Sequence, residues 1–594
     1  MYLKQSKSPS GKVYLSMVKT YFDKKTNQSR TKTIQTFGTL SELEKEYDDP
    51  ISHFKKVVEE YNRKEKEESS EYNVVALKNT QLTPGVRNRM NYGYIVILKI
   101  YYELGLDRFL LNKQKKEDLS FNSSTILKHL LISNILSPGT IKKTFEEKDR
   151  YFEFERKDIF SLEDVYSCIS YLSSISPSIQ KHLCKKLKQQ KHLSEDVIYC
   201  GLTSYSVKID REDELKKSAQ SKDLKTDQHI QLRLATDVNG VPISYELFPG
   251  NSVEAQGLRP TVSNLRKEHN AKKVIAVAGI LQNSNNNIYY LESEGNGYIF
   301  REKVITGNKD NQEFVLGEGE NKKNYKENKY KSRIMSRDMR EYGKEYKYRS
   351  RIVTREIDVV VTKDGKEKKK KVTIKQKQIV FYNENFAKRA RETREATIKR
   401  AYEIIADPSK FTNSTSLGAL RFLQNVSIDK KTGILKKTSG KPIIDTAKII
   451  EEVKFDGYYL LTTNQFDIPE TDIIESYSGS WFIEDYLRLR KNDLETSSSL
   501  MSRDDRIHTH FLVCFISLVI TQLMKVALED KYIMLSIIHT MNQISCTSEA
   551  ENLFLFDFRD EISDALGDAF GIDFTKERLT RALIKKNIAE VKKV

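Results

Sequence analysis

No Cys-x-x-Cys pair occurs in this chain, and no group of Cys and His has zinc-site spacing. The five cysteines, Cys168, Cys184, Cys200, Cys514 and Cys546, are scattered and odd in number. They argue against a disulfide framework and for reduced, buried thiols in a cytoplasmic protein. A phosphate-cradling Gly-x-x-x-x-Gly-Lys-Ser/Thr is missing, as are a Gly-x-Gly-x-x-Gly after a strand and a Gly-x-Ser-x-Gly elbow. P-loop, dinucleotide and α/β-hydrolase chemistry therefore have no sequence support. Long apolar runs are also lacking. The longest, Phe511–Ile520, is ten residues interrupted by Ser517, where a spanning helix needs roughly 20. It reads as a buried core helix. The N-terminus, Met1 to Lys7, has no apolar signal core.

What the chain does have is positive charge. Its 594 residues carry 100 Lys and Arg against 83 Asp and Glu, a net +17. Such a balance favours a polyanionic partner. With no spanning or signal segment expected, nucleic acid is favoured over a membrane. Residues 321–400 hold 27 Lys and Arg against 11 acids, so almost all of the excess lies in one segment. Tyrosines from Tyr325 to Tyr382 are interleaved there, which suits phosphate contact plus base stacking. The bland alternative is a soluble surface decoration.

Periodicity organises the rest. Val13–Phe22 and Thr31–Phe37 read as a hairpin, and residues 51–68 as a helix ending in a charge run. Residues 86–190 look helical. Ser161 with Asp164 opens one helix, whose apolar face is Val165, Ile169 and Leu172. This part either binds DNA or packs on the core. From residue 196 the pattern changes. Val197–Ile209, His229–Thr236 and Pro242–Phe248 read as strands, the last two joined by the turn Asp237–Gly240. A helix over Val262–Glu268 and a buried strand over Lys273–Ala278 follow, then a fifth strand, Tyr298–Arg301. Residues 302–455 interrupt this core with a hairpin (Ile352–Val361, Val372–Phe381) and a basic helix, Glu384–Ile405. Gly457–Thr463 returns as a strand, and His508–Leu528 reads as a buried helix. The expected fold class is α/β multidomain. A ribonuclease H-like mixed sheet core is interrupted by a basic β-rich and helical insertion, with helical N-terminal and C-terminal parts. The expected divisions are 1–80, a strand/helix unit and linker; 81–195, helical; 196–301 with 456–530, the core; 302–455, the insertion; and 531–594, a helical tail.

The focal stretch is Tyr477 to Lys491, which contains the only tryptophan, Trp481. Tyr477, Glu484 and Lys491 recur every seven residues and share one helical face, drifting ~20° per step. A carboxylate between a phenol and a cation can hold a metal beside a phosphate. A solvated helix face anchored by Trp481 is the alternative.

Several stretches together resemble the DDE-type insertion-sequence transposases of the IS-four superfamily, in the long branch typical of small, AT-rich bacterial genomes. They are Ser221–Asp223, Asp237–Ile243, Tyr245–Asn251, Asn283–Ser284, Gly297–Phe300, Asp456–Gly457, Thr463–Asn464, Tyr477–Lys491 and His510–Phe515. The resemblance implies DNA transposition: metal-dependent phosphodiester cleavage and strand transfer, with Mg2+ or Mn2+ between carboxylates. It makes Glu484 the third metal-binding carboxylate, and Tyr477 and Lys491 residues that position DNA phosphates. Ser480 stands where the family has Arg. Gly201 and Gly279 stand where the first two catalytic Asp are expected. From Lys272 to Leu291 there is no Asp or Glu at all. Asp196 and Asp210 lie roughly 15 and 30 Å along the strand from Gly201. The resemblance thus implies a degenerate site. Arg488, Lys388, Arg389, Arg391 and Arg394 are the further DNA-binding candidates. The expected partners are double-stranded DNA, both terminal inverted repeats and target, and a second copy of the chain. The expected location is the nucleoid of a bacterial cytoplasm. The alternatives are a catalytically dead DNA-binding repressor and a basic RNA-binding protein.

Overall fold

The computed structural model describes residues 1–9, 11–23, 28–68, 88–154, 159–193, 196–207, 228–249, 254–305, 307–318, 327–331, 345–363, 366–406, 418–428, 435–437, 441–478, 504–550 and 552–593. It has two compact units, Met1–Val86 and Arg87–Val594.

The first unit is a three-stranded antiparallel sheet, β1 (Tyr2–Lys7), β2 (Val13–Asp23) and β3 (Gln28–Thr39), with helices α1 (Leu40–Leu43) and α2 (Pro50–Glu68). Leu15, Met17, Leu43 and Val58 are buried, and the Phe37 ring stacks on Phe54 with centroids 4.4 Å apart. The N-terminal amine donates to Asn62 Oδ1 at 2.6 Å, which ties β1 to α2. The β2–β3 hairpin matches the sequence expectation. Strand β1 does not, because Tyr2–Lys7 is short and mostly polar, and pairing with Val13–Val18 supplies its order.

The second unit begins with β4 (Arg89–Asn91) and helices α3 (Ile95–Glu103), α4 (Leu106–Gln114), α5 (Ser123–Leu136), α6 (Ile141–Glu146) and α7 (Leu162–Gln189). Ser161 caps α7 through a reciprocal box with Asp164, as its sequence spacing indicates. Then come β5 (Val197–Val207), β6 (Gln228–Thr236), β7 (Pro242–Pro249), α8 (Glu254–His269), β8 (Lys273–Ala278), α9 (Asn285–Ser293) and β9 (Gly297–Arg301). They are followed by α10 (Lys309–Leu316), β10 (Glu327–Lys331), β11 (Glu345–Lys363), β12 (Lys366–Tyr382) and α11 (Glu384–Ala406). Four short strands, β13 (Leu423–Gln424), β14 (Val426–Ile428), β15 (Leu435–Lys437) and β16 (Ile443–Ile444), precede β17 (Tyr458–Thr463).

Nine strands form one mixed sheet in the order β10-β11-β12-β17-β9-β8-β5-β6-β7. Strands β5, β8 and β9 run parallel, and β6 is antiparallel to β5. With β5 as the first strand, β7 to β9 read 3-2-1-4-5, consistent with a ribonuclease H-like core. β8 is apolar almost throughout because both faces of a central parallel strand are covered. The Asp237 carboxylate accepts from the N–H of Asn239 and Val241, at 2.9 and 2.8 Å, and closes the β6–β7 turn. Gly240 supplies its positive φ.

One sequence expectation is corrected here. The hairpin β11–β12 does not stand apart from the core: β12 pairs with β17, and β17 with β9, so the hairpin widens the same sheet. Alternation reveals a hairpin but not its outer partner. A second correction concerns the C-terminus. It is not purely helical, because β18 (Ser545–Ala550), β19 (Leu553–Phe556) and β20 (Arg578–Thr580) form a small sheet with β4. These strands are short and partly polar, and β4 pairs with β18 from more than 450 positions away. The helix Asp504–Ala527 is buried against α5 and α7, as its apolar run indicates.

Two contacts lock α11 to the start of β17. Arg394 forms a two-pronged ion pair with Asp456, the first bond 2.6 Å long. Gly457 has φ +80°, and a Cβ there would lie 2.6 Å from the Tyr382 ring and 2.8 Å from Ala387 Cβ. Gly457→Ala is expected to lower stability by at least ~1–3 kcal/mol, the usual cost of a non-glycine residue in that conformation. Denaturant titration measures it, and an unchanged midpoint would contradict the close approach.

Candidate active site

The sheet has two differently filled faces. Ile198, Cys200, Ala276, Ala278 and Phe300 point to one, which is covered by α8 and α9. Burial there pushes the Cys200 thiol up to about 11, so it is an inert core group. Tyr199, Ile275, Val277, Ile299 and Leu461 point to the other. On that second face lies a helix over residues 470–478. Its Ile473, Ile474 and Tyr477 make the stripe that buries it.

Gly201 belongs to this second face by alternation with Tyr199. It sits in β5 directly opposite Val277 of the parallel strand β8. Gly279 is two residues beyond Val277, where β8 ends and the chain turns, so the two glycines flank one spot at the sheet's end. A Cβ added at Gly279 would meet nothing within 4 Å. The Ala278–Phe300 pair puts Arg301 of β9 beside Gly279. Arg301 lies over the Tyr459 ring, its guanidinium carbon 3.9 Å from the centroid. The Tyr459 centroid is in turn 6.2 Å from that of Tyr477. Gly201, Gly279, Arg301 and Tyr477 thus share a face. Arg301 was not singled out from sequence, although its alternation with Ile299 was available to show it pointing this way.

Around the spot, Asn283 Nδ2 donates to the Arg301 carbonyl and to Glu302, at 3.1 and 3.2 Å, which fixes the turn after Gly279 to the end of β9. Ser284 caps α9. The acids weighed from sequence lie elsewhere: Asp196 pairs with Lys272 at 3.0 Å, at the far end of β5, and Asp210 is outside the described residues. The fold instead brings Asp472 near Tyr199. Burial, the larger cause, and the Asp472 charge raise the Tyr199 pKa, against a hydrogen bond with Ser476 that lowers it. Among the described residues no group of three or more His, Cys, Asp or Glu side chains could hold a metal ion. Glycine has no side-chain carboxylate, so Gly201 and Gly279 do not fit a carboxylate-bridged metal pair.

The other sequence candidates divide. Tyr477 is 2% exposed, a core side chain and not an open contact surface. Glu484, Arg488 and Lys491 lie outside the described residues. On α11, Lys388 and Arg391 are exposed and Arg389 is half-buried. Arg394 is buried and committed to Asp456, which raises its pKa through the hydrogen bonds between them. Sequence periodicity could not separate the structural arginine from its exposed neighbours.

A buried lysine positions the 470–478 helix. Lys377 of β12 is 6% exposed. It donates to the carbonyls of Phe466 and Ile468, at 3.0 and 2.9 Å, and lies 3.5 Å from Glu470. Lys377→Met removes the charge but leaves two carbonyls and a carboxylate without their donor. It is expected to cost ~3–5 kcal/mol and to speed amide exchange across residues 464–478. Unchanged exchange there would show that Lys377 does not hold the helix.

Comparison with known proteins follows the geometry. No curated protein matches the chain. The family model described as Transposase DDE domain matches residues 206–520, more than half of the sequence, from β5 to the helix Asp504–Ala527. That domain serves DNA transposition, implies binding of DNA, and generally uses divalent metal ions. The chain belongs to the DDE transposase domain family.

Proposed function

We propose that this protein is an insertion-sequence transposase of the IS-four superfamily type that binds element ends but has lost metal-dependent cleavage. The observation that carries the reading is the pair Gly201 and Gly279. They flank one spot on the sheet face that also carries Tyr477, at the positions where that superfamily's first two carboxylates are expected. Two divalent ions between carboxylates activate the attacking oxygen and stabilise the leaving one. With two of three carboxylates replaced by hydrogen, most of the charge that would retain the ions is gone. Glu484 is the remaining acid in this reading.

DNA binding has separate support. The basic segment carries the exposed run Lys368 to Lys371 on β12 and the exposed Lys388 and Arg391 on α11. Backbone phosphates are the natural counter-charge. In this reading two copies of the chain occupy paired terminal inverted repeats, in the nucleoid of a bacterial cytoplasm. Such a protein shields the ends from an active copy and acts as a repressor of movement.

The test is cleavage of native element ends with Mg2+ or Mn2+, beside binding of the same ends. Retention of inverted-repeat DNA without cutting is expected, and robust cutting by the unaltered chain would overturn the loss of cleavage. The double variant Gly201→Asp with Gly279→Asp is expected to tighten Mn2+ binding, read by calorimetry. The gain should be at least the ~10–100-fold on which even outer ligand-shell changes act. Recovery of cleavage would show a site short only of its ligands.

A further inference from the structure

The spot flanked by Gly201 and Gly279 carries a positive charge of the protein's own. Arg301 is half-buried there, and it differs from the other arginines of the nine-stranded sheet. Arg233, Arg351 and Arg355 face the carboxylates of Glu246, Asp310 and Glu302, and Arg349 donates to the Val315 carbonyl. Among the described residues, Arg301 has no carboxylate and no acceptor for its N–H groups. Its neighbour Glu302 supplies none, because alternation turns Glu302 to the opposite face, where it lies 3.9 Å from Arg355.

The guanidinium is nevertheless held in place. It lies over the Tyr459 ring, and a guanidinium on a ring face keeps its edge N–H donors for another acceptor. Gly279 is still extended, with φ −73° and ψ −169°. It therefore continues the alternation of β8 and faces the same way as Arg301, one strand spacing (~4.8 Å) away. The space over Gly279 is open, since an added Cβ would meet nothing within 4 Å, and Gly201 adds no side chain beside it. A fork of donors next to an open recess without carboxylates suits a tetrahedral oxyanion and repels a metal cation.

We propose that this end of the sheet has inverted its charge preference: Arg301 binds a DNA backbone phosphate directly, at the spot where carboxylates would hold metal ions. The ligand is a phosphodiester at the element end, and its binding needs no divalent cation. The two glycines make room for the phosphate and remove the carboxylates that would neutralise Arg301. The proposal rests on the reading of the chain as a protein that binds DNA ends.

The experiment uses the full chain and a duplex carrying one terminal inverted repeat, titrated in EDTA at several salt concentrations. Binding is expected to persist in EDTA, and a requirement of the parent chain for Mn2+ or Mg2+ would overturn the proposal. Arg301→Met is expected to weaken binding roughly 10–100-fold, the range of a hydrogen bond to a charged group. It should also lower the slope of log affinity against log salt by about 1, for one lost phosphate contact. A neutral methylphosphonate in place of the element's terminal phosphodiester should cost the parent a similar factor and cost Arg301→Met little more, a coupling that a general loss of packing would not produce. Gly279→Asp leaves Arg301 intact but sets a carboxylate beside it. In EDTA this variant is expected to weaken binding, and to do so less in the Arg301→Met background. If Arg301→Met does not fold, Gly279→Asp decides alone. Affinity of either folded variant equal to the parent's would overturn the role of Arg301 while leaving the DNA-end reading intact. Failure of the parent chain to hold the duplex would overturn that reading and the proposal with it.

Discussion

Parallel pairing of β8 with β5 on one side and β9 on the other is the constraint on which the site depends. Parallel strands are stable only when both faces are covered, because their crossovers lay helices across the sheet. Here α8 and α9 cover one face, and the 470–478 helix covers the other. Burial on both sides makes Val274 to Ala278 apolar throughout. It also leaves the ends of these strands as the places where polar chemistry can be set. Gly201 and Gly279 flank such an end, and Arg301 arrives there because β9 lies next in the sheet.

The second face is assembled by residues that do no chemistry. Lys377 draws the Phe466–Glu470 loop against β12, and the helix that begins there lays Tyr477 on Tyr459. Asn464 accepts from the N–H of Tyr298 and donates to the Asn296 carbonyl, which pins the end of β17 to β9. Arg394 and Asp456 hold α11 at the other end of the strand. A family sequence pattern can thus persist at Asp456, Gly457, Asn464 and Tyr477 for reasons of assembly, whether or not the carboxylates survive.

Much of this was legible in the sequence, for identifiable reasons. The strand Lys273–Ala278 and the Asp237–Gly240 turn rest on local signals, an apolar run between polar ends and an Asn-Gly pair. The hairpin Ile352–Phe381 shows its alternation. Its joining to β17 is non-local, and nothing within a window of ten residues reveals it. β1 and β18 to β20 are too short and polar to stand out before their partners are known. At the site, Gly201 and Gly279 were visible because a family resemblance supplied the residues to be missed. Arg301, Lys377 and the structural role of Arg394 needed the fold, since each depends on a partner distant in the chain.

The continuity of the hairpin with the core sheet has a consequence for how this protein can change. In a strand, side chains alternate between faces, so a slip of one residue reverses every one of them. In β12, Ile379 and Phe381 fill the face that carries Tyr477, while Val380 fills the opposite one. A single-residue insertion between Lys377 and Tyr382 would therefore empty both faces at once. Added in matched numbers to the two arms beyond Val361 and Val372, which still pack against the core, residues would only lengthen the outer part of the hairpin. Length variation among relatives should accordingly be absorbed at the tip and come in compensating arms, with the stretch facing β17 held constant.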